Sequence, residues 1–339
     1  MKYFKEAQRL FEKAIENGID EDDMRVVAKW PLDKVSLLFA AADQVRRIFF
    51  KNKVEPCTLM NIKSGGCCED CSFCSQSSHN NADINVQDLS DPREIIRKCK
   101  ESWSKGYPFC VVSSGRKLEP AEFETVCKAL SECKGTGEKH ASLGILSDDE
   151  LKALFKAGVS FYNHNLETSR SFFGNIVTTH TYDDRYDTVM RIKTSGMRVC
   201  SGGIFGIGES WEHRIELCVD LRNLGVNIVP INFLNAIPGT RIEPLKESPL
   251  ELLKIVSMFR LAMPNVTIKV SGGREANLGA LQSMIFFAGA NGYITGGYLT
   301  TQGAGIDADE QMIGALGLKN RGSSSRPSSN QINQKANNR

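Results

Sequence analysis

The chain has 339 residues, with 42 basic and 40 acidic side chains and a net charge of +2. So balanced a charge gives no reason to expect a nucleic-acid or membrane partner, and no stretch approaches the ~18 uninterrupted apolar residues of a membrane span. Met1 to Glu16 mixes Glu and Lys with apolar residues, unlike a signal or transit peptide, so a cytoplasmic protein is expected. A chain this long and rich in Leu, Ile and Val has no need of a disulfide framework, yet it carries 11 cysteines.

The first fifty residues read as helices. Tyr3, Phe4, Leu10, Phe11 and Ile15 recur at helical spacing, and Gly18 is a natural stop. Trp30-Pro31 breaks the pattern, and Asp33 is placed to cap a second helix through Val35, Leu38, Phe39, Ala42 and Val45. Residues 1–50 are therefore expected to form a helical cap.

From Lys53 the rhythm changes to short apolar runs alternating with amphipathic segments. Strands are expected at Cys57–Ile62, Phe109–Ser113, His140–Leu143, Ser160–Asn165, Arg198–Gly203, Asn227–Asn232, Thr267–Ser271 and Tyr293–Gly297. Helices are expected at Pro120–Cys133, Asp148–Ala157, Tyr182–Thr194, Trp211–Leu224 and Pro249–Ala262. Eight such alternations over about 250 residues predict an α/β fold, a (βα)8 TIM-type barrel over residues 51–318, in preference to an open doubly wound sheet. Residues 319–339 are expected to form a disordered basic tail; from Arg321 onward it is Ser, Asn and Gln with four basic residues and no acid.

In such a barrel the active site lies at the C-terminal ends of the strands. The unusual residues collect there: a cysteine cluster after strand one, Cys110 in strand two, His140 in strand three and Asn163 to Glu167 ending strand four. Cys200 to Glu209, Asn232 and Arg274 follow on strands five, six and seven.

Cys67, Cys68, Cys71 and Cys74 fall within eight residues, and Cys67, Cys71 and Cys74 are spaced C-x3-C-x2-C. Three thiolates on one tight loop suit either an iron–sulfur cluster or zinc. A closed zinc site would need a fourth ligand, for which Cys68 or His79 is at hand. Cys99, Cys127, Cys133 and Cys218 fall in helical stretches and read as packing residues.

This spacing, with Phe73 before the last cysteine, resembles the radical S-adenosylmethionine (SAM) enzymes. Asn61 to Gly65, Tyr162-Asn163-His164-Asn165-Leu166-Glu167, Thr178-Thr179-His180, Val199-Cys200-Ser201-Gly202-Gly203, Val229 to Asn232 and Gly272-Gly273-Arg274-Glu275 resemble the biotin synthases in particular, in family order over residues 35 to 318. The resemblance implies a [4Fe–4S] cluster on Cys67, Cys71 and Cys74, which reduces SAM to a 5′-deoxyadenosyl radical, and sulfur insertion into dethiobiotin to form biotin. It implies SAM contacts by Phe73, Glu167, His180 and the glycine strand Gly202, Gly203, Gly206 and Gly208, with His180 as an imidazolium for the carboxylate where many relatives have Arg. Asn163, Asn165 and Asn232 match positions that contact dethiobiotin and SAM.

The family carries an auxiliary [2Fe–2S] cluster on three cysteines and an arginine. Cys110, Cys200 and Arg274 match three of these positions, and His140 stands where the middle cysteine is expected. Imidazole ligates iron and raises cluster potential. Cys57 takes a strand-one position where many members have a hydroxyl residue, so the expected site is Cys57, Cys110 and Cys200, completed by His140 or Arg274, with [2Fe–2S] or a larger cluster. Further expectations are a low-potential electron donor of flavodoxin or ferredoxin type, the iron–sulfur assembly machinery and a homodimer. The alternatives are a related radical SAM enzyme with another substrate, such as a methylornithine-synthase-like or hydrogenase-maturase-like protein, and a non-catalytic zinc-binding barrel.

Overall fold

The computed structural model describes residues 1–243, 247–298 and 303–321. Its centre is a closed, wholly parallel barrel. The strands are β1 (Lys53–Lys63), β2 (Phe109–Ser113), β3 (Lys139–Ser142), β4 (Val159–Asn163), β5 (Arg198–Cys200), β6 (Gly203–Phe205), β7 (Ile228–Phe233), β8 (Thr267–Val270) and β9 (Gly292–Ile294). They pair in sequence order, and β9 returns to β1 with Cys57 opposite Ile294. β5 and β6 share one place in the wall, both pairing with β7, so eight positions surround the axis.

The pleat explains why this sequence closes in this sense. Along β2, β3, β4 and β8, one set of alternate residues (Val111, Ala141, Tyr162, Ile268) is fully buried in the hydrophobic core. The other set (Cys110, His140, Asn163, Lys269) lines the interior cavity. A period of two therefore places apolar side chains outward and chemically versatile ones inward.

The N-terminal region has three α-helices, α1 (Lys2–Asn17), α2 (Glu21–Ala28) and α3 (Val35–Phe50), where two were expected. The additional helix starts at Asp20, whose carboxylate accepts from Asp23 N at 3.0 Å. Asp33 does not cap α3; it lies in a 3-10 turn, Leu32–Lys34, just before it. Helices α4 (Pro92–Ser104), α5 (Pro120–Glu132), α6 (Asp148–Lys156), α7 (Arg170–Phe173) and α8 (Tyr182–Thr194) follow. After them come α9 (Trp211–Leu224), α10 (Pro249–Ala262), α11 (Arg274–Leu278), α12 (Met284–Phe287) and α13 (Ile306–Ala315). α3 packs on α10 and α12, and α2 on α9, so the N-terminal helices flank the outer helical ring.

The strand expected over Arg198–Gly203 is broken after Cys200. A Cβ on Gly202 would lie 1.9 Å from the Pro230 carbonyl oxygen, so the chain crosses its neighbour where only glycine fits. At the other end, Lys319–Asn320 are not tail but a short strand, β10, paired with Lys53 and Val54. The tail expected from 322 onward lies outside the described residues. Among the described residues no helix is long and apolar enough to cross a membrane.

Candidate functional site

A cavity of ≈430 Å³ occupies the barrel interior and its C-terminal mouth. The cysteine loop after β1 forms part of its wall. Gly65 and Gly66, at φ +78° and +63°, reverse the chain in the left-handed region. Cys67 N then donates to Gln76 O at 3.0 Å, and Asn80 Nδ2 donates to the carbonyls of Cys71 (3.1 Å) and Cys74 (2.8 Å), which ties the loop to itself. Asp70 anchors it to the segment before α8 by accepting from Thr178 N (2.8 Å) and Thr179 N (3.1 Å). The Asn80 and Asp70 clamps were not anticipated from the sequence, although the Glu69-Asp70 pair inside the cysteine spacing was there to prompt the question.

Cys67, Cys71 and Cys74 all line the cavity as free thiols, with pKa values raised by burial; that of Cys71 is pushed up to about 12. Neither candidate fourth zinc ligand joins them. Cys68 is exposed, and His79 Nε2 lies 3.1 Å from the Cys68 carbonyl oxygen. Among the described residues no three Cys, His, Asp or Glu side chains gather on a single-ion site. Three cavity-lining thiols on one loop suit a cluster, whose iron atoms present several separate coordination points.

The cavity also gathers Phe73, Asn163, Asn165, Glu167, His180 and Asn232. Glu167 sits at φ +68°, a left-handed conformation unusual outside glycine. Its Oε2 is buried with no hydrogen-bond partner among the described residues, and burial raises its pKa against the pull of Arg185. An orphaned carboxylate oxygen on a cavity wall is a ready acceptor for a ligand hydroxyl, and so fits the ribose expected there. Asn163 Nδ2 donates to Ser142 Oγ at 3.2 Å. Asn232 is more fully committed to the fold: Nδ2 donates to Gly203 O (3.1 Å) and Oδ1 accepts from Gly272 N (2.9 Å).

Gly202, Gly203, Gly206 and Gly208 belong to the β5–β6 run, whose Ile204 lines the cavity. Gly202 and Gly203 let the backbone pass close to its neighbours, Gly206 and Gly208 take positive φ, and the amides of Gly206 and Ile207 are taken by Glu209 (3.0 and 2.8 Å). His180 is not a free imidazolium. Its Nδ1 lies 2.6 Å from Glu69 Oε2, while its Nε2 accepts from Arg185 Nε at 3.0 Å, and burial together with Arg185 lowers its pKa. Arg185, unremarked in the sequence, lines the cavity beside it, as does Arg116, which donates to Glu69 at 3.1 Å.

Deeper in the barrel, Cys57, Cys110, His140, Cys200 and Lys269 line the same cavity. Cys110 is in register with His140 across β2–β3, and Cys200 with Asn163 across β4–β5. His140 packs on Phe161 with ring centroids 4.7 Å apart and has Glu138 Oε2 3.5 Å from its Nε2, while the Cys57 thiol lies on the same cavity wall and points its Sγ toward Thr58 O at 3.6 Å. Burial pushes Cys200 up to about 12 and holds Cys110 well above the usual thiol range. Cys57 is the exception: burial raises it, but Lys269 and His140 together bring it below its usual value.

Arg274 is not in this cavity. Fully buried, it turns outward to Asp309 Oδ1 (2.6 Å) and Glu275 Oε1 (2.7 Å). The cation facing the thiols is Lys269, which the sequence reading passed over. The available signal was a lysine in the middle of an otherwise apolar barrel strand. Cys99, Cys133 and Cys218 are buried away from the cavity, as expected of packing residues.

Residues 61–221 match the family described as the Radical SAM superfamily, and residues 230–319 that described as the Biotin and Thiamin Synthesis associated domain. Over 283 residues the chain is 44% identical to a biotin synthase of Endomicrobium trichonymphae, covering 83% of this chain and 89% of that one. Over 314 residues it is 43% identical to a biotin synthase of Pelotomaculum thermopropionicum, covering 90% and 97%. Among solved structures it is similar to methylornithine synthase (TM-score 0.80, 21% identity, 96% of this chain and 99% of that one). It is also similar to a maturase of the [FeFe]-hydrogenase (TM-score 0.78, 14% identity, 95% and 77%). At such identities the structural likeness is one of fold, whereas the sequence likeness extends through both halves of the barrel. The chain belongs to the biotin synthase family of radical SAM enzymes.

Proposed function

We propose that this chain inserts sulfur into dethiobiotin to form biotin, using SAM and two iron–sulfur clusters. The observation that carries the reading is a single cavity lined by two separate sets of thiols, Cys67, Cys71 and Cys74 on the loop after β1 and Cys57, Cys110 and Cys200 on the barrel strands, and by Asn163 and Asn165. A [4Fe–4S] cluster on the first set supplies, when bound, the electron that cleaves SAM.

The chain's own residues orient and enclose. The Glu167 carboxylate accepts from the ribose hydroxyls, Phe73 packs against the adenine, and the Arg185 guanidinium takes the carboxylate of SAM in the role expected of His180. The amides of Asn163 and Asn165 both donate and accept, as a cyclic urea requires. Asn232 holds β6, β7 and the loop after β8 together around them. Cys57, Cys110 and Cys200, with His140, would hold the auxiliary cluster that supplies the sulfur. Lys269 offsets the negative charge that several thiolates would otherwise concentrate in a buried site. Water is excluded by the Leu59, Val112 and Ile204 side chains of the cavity wall.

The low-potential donor is of flavodoxin or ferredoxin type, the clusters are installed by the iron–sulfur assembly machinery, and the enzyme works as a cytoplasmic homodimer. The test is anaerobic incubation of reconstituted protein with SAM and a low-potential reductant, with and without dethiobiotin. Mass spectrometry is expected to find biotin, with 5′-deoxyadenosine that depends on dethiobiotin. Deoxyadenosine indifferent to dethiobiotin, without biotin, would overturn the substrate assignment while leaving the radical SAM chemistry in place.

A further inference from the structure

A hydrogen-bonded chain runs from the cysteine loop to Arg185 on the cavity wall. Glu69 lies between Cys67 and Cys71, and its carboxylate is buried. One oxygen, Oε1, accepts from Arg116 Nη1 at 3.1 Å; the other, Oε2, accepts from Thr179 Oγ1 and lies 2.6 Å from His180 Nδ1. On the far side of the imidazole, Arg185 Nε donates to Nε2 at 3.0 Å. Arginine has no acceptor and stays protonated, so Nε2 must be the acceptor and Nδ1 must carry the proton toward Glu69. The tautomer is therefore fixed from both ends. Phe173 packs against both members, with its ring 5.6 Å from that of His180 and 5.9 Å from the Arg185 guanidinium.

The fork of Arg185 is then set. Nη1 donates to Asn165 O (2.9 Å) and reaches Glu167 Oε1 (3.4 Å). Among the described residues no hydrogen bond takes up Nη2, and the side chain lies on the cavity wall.

We propose that Glu69 and His180 are positioning residues for Arg185: the neutral imidazole, oriented by a carboxylate of the cysteine loop, holds the guanidinium so that its Nη2 edge faces the anionic end of SAM. This inference rests on the assignment of Arg185 to the SAM carboxylate. It adds a direct mechanical link, since any shift of the loop between Cys67 and Cys71 is transmitted through two hydrogen bonds to the residue that grips the ligand. A planar guanidinium that must meet a carboxylate edge-on depends strongly on such orientation.

The test uses reconstituted enzyme and SAM itself, with equilibrium binding of SAM and steady-state deoxyadenosine formation as readouts. His180→Leu is expected to weaken SAM binding about 10- to 100-fold, the range found when a partner that orients a ligand-binding group is lost. KM for SAM should rise in proportion, with kcat at saturating SAM within about 2-fold of the parent. His180→Gln, whose amide can accept from Arg185 and donate to Glu69, should restore binding to within about 3-fold. If His180→Leu does not fold, His180→Ser removes the same contact with room for solvent. Arg185→Met separates the two levels of the argument. If Arg185→Met binds SAM like the parent, the assignment of Arg185 fails. If Arg185→Met loses binding while the His180 variants keep it, or if Gln rescues no better than Leu, the positioning role fails.

Discussion

The buried Arg274–Asp309 pair allows a sharp separation of stability from cluster chemistry. The Arg274 side chain is 0% exposed and that of Asp309 2%, with the charged groups 2.6 Å apart. Replacing Arg274 by Met leaves a carboxylate buried without its counter-charge, and such half-removal of a buried pair costs about 3–5 kcal/mol. For 339 residues the entropy of unfolding converts this to a fall in Tm of about 4–7 °C. Asp309→Leu should cost less, because Arg274 keeps Glu275 Oε1 at 2.7 Å. The double variant should recover most of the loss: among the described residues Arg274 Nε and Nη1 and Asp309 Oδ2 already lack partners, so the native pair is incompletely compensated and apolar replacement is close to neutral. Thermal melts of the four proteins close the cycle, and iron and sulfide analysis accompanies each melt. The expected result is a large coupling energy with cluster content unchanged in every variant that folds. If Arg274→Met lost the auxiliary cluster with Tm within about 1 °C of the parent, arginine would be a ligand after all and the placement of this side chain would be refuted.

Other perturbations address single contacts. Cys57→Ser should lower iron and sulfide per chain and remove the auxiliary cluster's spectral features while leaving those of the loop cluster; unchanged content would exclude Cys57 as a ligand. Gly202→Ala forces a Cβ to within 1.9 Å of the Pro230 carbonyl oxygen, so a loss of about 3 kcal/mol is expected in urea unfolding, and a near-neutral effect would contradict the tight β5–β7 crossing. Tyr162 Oη accepts from Leu143 N (3.0 Å) and donates to Gly144 O (2.8 Å). Tyr162→Phe strands both groups and should cost about 1–3 kcal/mol, measured by the same unfolding, without altering the cavity-facing residues of β4.

Much of the molecule was legible along the chain. Parallel βα alternation places most of the expected elements to within a residue or two, because hydrophobic periodicity is a local property. The set Cys57, Cys110, His140 and Cys200 was picked out by the resemblance to the biotin synthases, and the two-residue pleat explains why these side chains share the inward face. What local pattern could not supply was the choice among several basic residues. Arg274 and Lys269 are five positions apart in the same strand–loop segment, and only the turn through Gly272 and Gly273 sends Arg274 back to Asp309 while Lys269 stays on the pleat facing the thiols. His180 likewise carries no mark of its tautomer. That depends on Glu69 and Arg185, 111 and 5 residues away, closing on it from both sides. The sequence by itself determined the barrel, the cysteine loop and the family; the tertiary structure decided which charges meet, because the partner of a buried charge is set by long-range packing and desolvation rather than by its neighbours in the chain.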